Sequence, residues 1–157
     1  MEGVPALLQP VAHALVDADE DVQKVVPGLN AAAVAARPGG AASVAYHVVH
    51  AIGSLDRLFT YARGEALSTA QMSALIAEKT LDPYAFSPVQ LATAFAAAVN
   101  KAHVQLRFTP DAELLETRLV GRAKLPSTTL GLLVHAAEHT ARHVGQIVTT
   151  ARIVRGP

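Results

Sequence analysis

The stretch Thr128-Thr129-Leu130-Gly131-Leu132-Leu133-Val134-His135-Ala136-Ala137-Glu138-His139-Thr140-Ala141-Arg142-His143-Val144-Gly145-Gln146-Ile147-Val148 decides the fold. Leu130, Leu133, Ala137, Ala141, Val144 and Val148 recur at steps of three and four residues, the period of one helical face. Ser127 or Thr128 can cap the start, and Arg155-Gly156 supplies the basic last turn and glycine stop that end a helix near Val154. Leu132 and Ile153 share the opposite face with several histidines. A helix apolar on more than one side belongs deep in an assembly of helices.

Three further segments supply that assembly. The first runs from about Pro5 or Pro10 to Val26, with Leu8, Val11, Leu15, Val22 and Val25 at helical spacing and Pro27-Gly28 as its stop. The second follows Pro38-Gly39-Gly40 and carries Val44, Val48, Ile52, Leu55, Phe59 and Ala62 as far as Gly64. The third has the clearest start: Ser87 caps, Pro88 takes the first helical position and Gln90 completes a capping box. Its stripe is Leu91, Phe95, Val99, Ala102 and Leu106, and Thr109-Pro110-Asp111 ends it. Between the second and third, Ser68 or Thr69 caps a short connector through Met72, Leu75 and Ile76. The stretch from Asp111 to Pro126 reads as an irregular or partly helical crossover, with Arg118, Arg122 and Lys124 as a solvated basic cluster. The expected fold is all-α: a four-helix bundle with a short connector helix and a crossover before the last helix, one domain over residues 1–157.

Composition narrows the function. The 157 residues are 51% apolar and 17% charged, with no Trp, which excludes a disordered chain and argues against an aromatic-rich barrel. Thirteen basic residues balance thirteen acidic ones, so no overall field draws the chain to nucleic acid or to an anionic membrane. There is no Cys, so thiolate catalysis, disulfides and Cys-ligated metals are all excluded. Any metal must be held by His, Asp or Glu. Glu2 and the break at Pro10 do not fit a signal peptide, and no apolar run reaches membrane-spanning length, so a soluble cytoplasmic protein is expected.

The chemical signal lies in the seven histidines. His135, His139 and His143 are spaced four apart on the last helix, and neighbours at that spacing lie within about 5–6 Å on one face. Adjacent imidazoles can therefore reach one cation, whereas the outer two are about 12 Å apart along the axis and cannot. Either His139 with His143 or His135 with His139 can form the pair. A third ligand must come from another helix, and the second segment offers His47 and His50. His50 shares a face with Ser43, Tyr46, Gly53, Ser54 and Arg57, and Gly53-Ser54 leaves room there for a substrate. His13 and His103 read as structural or surface residues.

The blocks Ser43-Val44-Ala45-Tyr46-His47-Val48-Val49-His50-Ala51 and His135-Ala136-Ala137-Glu138-His139-Thr140-Ala141-Arg142-His143-Val144-Gly145-Gln146-Ile147 resemble the DinB/YfiT-like family of metal-binding four-helix bundles. The second carries the family's terminal-helix pattern, His-x-x-x-His followed shortly by Gly-Gln. Outside these blocks the match is architectural. The resemblance implies His50, His139 and His143 as ligands of one divalent ion, with His47 as a rival to His50 and His135 as a residue that orients a ligand or meets substrate. Zinc comes first for three imidazoles with an open position, with nickel or iron as alternatives. It also implies a homodimer and a small-molecule substrate, with either a metal-dependent hydrolase or a transferase that uses a low-molecular-weight thiol. A hydrolase would draw a general acid or base from Glu138 or Tyr46, and Arg57 and Arg142 lie where an anionic substrate would be held. The reading from another class is a non-catalytic, stress-associated metal-binding or interaction module.

Overall fold

Ser87, Pro88 and Gln90 do what their spacing predicts. In the computed structural model, which describes residues 1–156, Ser87 Oγ accepts from the Gln90 amide at 3.2 Å and Gln90 Oε1 accepts from the Ser87 amide at 2.8 Å. The same box forms between Ser68 and Gln71. These caps open α5 (Pro88–Phe108) and the connector α4 (Thr69–Ala77). Ser43 caps α3 (Val44–Ala62) and Thr128 caps α6 (Thr129–Arg155). The first long helix, α1, spans Gln9–Val25 behind a 3-10 turn at Ala6–Leu8. A further helix, α2 (Ala31–Ala35), is too short to show a period in the sequence and is capped by Asn30.

The four long helices pack as a ring in which α6 lies between α1 and α3, and α5 closes the other side against the same two. The predicted stripes of α1 and α5 are the core: Leu8, Val11, Leu15 and Val22 face Leu91, Phe95, Val99 and Leu106, all essentially inaccessible. Two stripes differ in phase. On α6 the buried line is Leu133, Ala136, Thr140, Val144, Ile147 and Ala151, while Ala141 and Ile153 are exposed. Thr140 can lie in that line because its hydroxyl donates to the Ala136 carbonyl at 2.8 Å. On α3 Ala51 rather than Ile52 is fully buried.

The crossover is not irregular. Residues Thr117–Val120 (β1) and Leu125–Thr128 (β2) form an antiparallel hairpin pairing Thr117 with Thr128 and Leu119 with Pro126. Gly121 and Lys124, both at positive φ, turn it. Pro126 is tolerated because a two-stranded sheet leaves outward positions with no partner strand. Arg118 does not join a solvated cluster: its Nε donates to the Ala62 carbonyl at 2.8 Å and its Nη2 lies 2.9 Å from Glu116, which fastens the hairpin to the end of α3. No described helix is long and apolar enough to cross a membrane.

Candidate metal centre

The α3–α6 contact brings the two histidine blocks together. His50 from α3 and His139 and His143 from α6 each offer one ring nitrogen, and these three atoms lie within 4.8 Å of one another. His50 Nε2 faces His139 Nε2 at 3.2 Å. Two nitrogens bound tetrahedrally at zinc distances would stand about 3.3 Å apart, so this pair already has the separation that one ion requires.

His50 is oriented by a residue that sequence reasoning missed. Glu78, in the 3-10 turn Glu78–Thr80 after α4, is buried, and its Oε2 lies 2.7 Å from His50 Nδ1. A carboxylate at Nδ1 keeps the proton there and turns the Nε2 lone pair toward the other rings, the usual outer partner of a metal-binding imidazole. Arg57 Nη1 donates to Glu78 Oε1 at 2.5 Å. Arg57 is therefore buried in an ion pair, not free on the surface for substrate. The space expected over Gly53 is filled by this pair: a Cβ there would run into Glu78 Oε1 and stand 2.7 Å from Arg57 Nη1. One weak sign of it was legible along the chain, a lone Glu ending an apolar connector.

His47 falls outside the group of three whose nitrogens converge, and its Nδ1 lies 3.0 Å from His143 Nδ1. The Tyr46 ring stacks on His50 at 5.6 Å with 8° between planes. His135 is exposed, its ring 5.9 Å from that of His139. Glu138, Arg142, Gln146 and His13 are exposed as well. His103 is buried with Nε2 at 3.1 Å from the Ala12 carbonyl, a structural role.

Electrostatics favour the neutral form of three rings, His47, His139 and His143. Burial, then the charge of His50, lowers the pKa of His47. Burial followed by His50, His135, Arg142 and Arg57 lowers that of His139. His143 is pushed down to about 4, first by burial and then by His50, His139, His47 and Arg142. Neutral imidazole is the metal-binding form, so the two α6 rings are favoured in the state that holds a divalent cation.

A four-helix bundle that gathers imidazoles from two facing helices around one point defines the class of protein. The chain belongs to the DinB superfamily, whose family model matches residues 14–147. It is also similar to a solved structure described as a conserved protein from Enterococcus faecalis, at 21% identity and a TM-score of 0.70, covering 96% of this chain and 98% of that one. That likeness concerns the fold alone. A search of curated proteins gave no significant match.

Proposed function

We propose that the protein is a metal-dependent enzyme in which His50, His139 and His143 hold one divalent ion, zinc first and nickel or iron as alternatives. The observation that carries this is the convergence of three ring nitrogens within 4.8 Å from two separate helices. Such an ion supplies Lewis acidity, which keeps a water or a thiol deprotonated near neutral pH. The chain's own part is to fix the ligands: Glu78 engages Nδ1 of His50, and His47 that of His143.

Two reactions fit such an ion, hydrolysis of a small molecule or transfer that uses a low-molecular-weight thiol. Both oxygens of Glu78 are engaged by His50 and Arg57, and Glu138 faces solvent, which leaves Tyr46, stacked beside His50, as the acid–base candidate at the cluster. A non-catalytic module would instead close the site with a fourth protein ligand.

Cobalt substitution tests this reading. The cobalt-loaded protein should bind about one ion per chain and develop a sulfur-to-metal charge-transfer band when a thiol is added. Binding no tighter than that of the triple His50, His139 and His143 alanine variant would overturn the site, and a spectrum unmoved by thiol or water exchange would favour the closed module. A homodimer belongs to the same proposal, supported by exposed apolar side chains such as Leu7, Val134 and Phe108, and light scattering at micromolar concentration decides it.

A further inference from the structure

Beside the histidine cluster a cleft of about 410 Å³ opens between the start of α3 and the turn after α4, within the usual size range of small-ligand pockets. The hollow between α3 and α5, by contrast, holds only about 30 Å³. Two walls of the larger cleft are residues that touch His50: Tyr46, stacked on its ring, and Glu78, bonded to its Nδ1. A ligand there lies one side chain away from the cluster.

The charge in this cleft is unbalanced. Glu78 is the one acid among the lining residues, and its carboxylate is taken by Arg57 and His50. Asp82, next to the wall, has its carboxylate on the Tyr84 amide at 3.0 Å. Arg37 and Lys79, which also line the cleft, have no ion-pair partner among the described residues. Arg37 Nε donates to the Ala41 carbonyl at 3.3 Å, which leaves both Nη groups for a ligand. Ser43 Oγ accepts from the Tyr46 amide, so its O–H remains a donor. Leu81 and Pro83 add an apolar side.

We propose that this cleft binds a small organic anion, a carboxylate or phosphate carried on an apolar body, and presents it to the histidine cluster. Two cations and a hydroxyl donor meet the anionic group, while Leu81 and Pro83 meet the body. The presentation step rests on the cluster being a reaction centre. Anion binding does not.

The test uses the metal-free full chain, with benzoate as the probe and benzamide as its uncharged shape-mate, at constant ionic strength. Amide NMR shifts on benzoate addition should saturate and concentrate at residues 42–46 and 78–82. Benzamide should bind roughly tenfold more weakly, and the double variant Arg37→Gln/Lys79→Gln should bring benzoate down to the benzamide level. Equal binding of the two probes, shifts elsewhere, or an unchanged benzoate curve in the double variant would overturn the proposal. Zinc titration of the same double variant keeps the two readings apart, because unchanged zinc affinity with lost benzoate binding supports the cleft. Failure of the unaltered chain to bind benzoate, alongside intact zinc binding, sinks the cleft and leaves the metal site standing.

Discussion

At the scale of single residues, the histidines separate by what each ring nitrogen faces. Replacing His50, His139 or His143 by Ala is expected to remove most of the zinc affinity. Glu78→Gln and His47→Ala should each lower it by about 10–100-fold, as for partners that orient a ligand. The exposed His135 should matter little, and zinc titrations of the single variants check the order. Loss in the His135 variant with retention in the His143 variant would show that the other pair of α6 is in use. The depressed ring pKa values carry a pH signature. The unfolded chain takes up protons on these rings near pH 6.5, whereas the folded metal-free chain keeps His143 neutral until about pH 4. In that window the unfolded state binds more protons, so stability is fully present above about pH 6.5 and is lost as pH falls through the window. Urea unfolding of the metal-free protein at pH 7.5 and pH 5 should therefore show a lower midpoint at pH 5.

At the scale of elements, the connector matters more than its length suggests. The turn after α4 delivers Glu78 into the Gly53 notch of α3, and the Arg57–Glu78 pair is buried on both sides. Breaking such a pair from one side leaves a buried charge without its partner. Arg57→Leu should destabilise the fold by about 3–5 kcal/mol in urea unfolding, more than a surface ion-pair variant such as Lys101→Ala. Phe95 on α5 is fully buried, and Phe95→Ala should cost a comparable 3–5 kcal/mol through the cavity it leaves, yet leave zinc affinity unchanged. Affinity and stability measured together thus distinguish the site's scaffold from the general core. The short hairpin and α2 were hidden in the sequence for a physical reason. Four- and five-residue elements have too few positions to show a period, and Arg118 declares itself only through the Ala62 carbonyl it meets in space.

For the whole molecule, the question is whether the metal holds the fold. The core formed by α1, α3, α5 and α6 is continuous and apolar, and the histidine cluster sits beside it, not within it. Chelation should therefore leave the helical circular-dichroism signal in place, unlike a zinc finger, which unfolds without its ion. Collapse of that signal would mean that the ion is structural.

The sequence by itself determined the long helices, their caps, the all-α bundle and the α6 histidine spacing, because caps and periodicity are local: Ser87 and Gln90 are three residues apart, and His139 and His143 four. The tertiary structure decided the rest. Which of His47 and His50 joins the cluster depends on the rotation of α3 against α6, and residues one turn apart cannot report that rotation. The phase of α6 likewise turned on Thr140, whose hydroxyl is satisfied within its own helix and so can lie in the core. Glu78 stood 28 residues from His50 with no pattern linking them, and Arg57 read as a holder of anionic substrate until the fold placed that carboxylate against it. A buried charge is explained only by the partner that balances it, and that partner is found in space rather than along the chain.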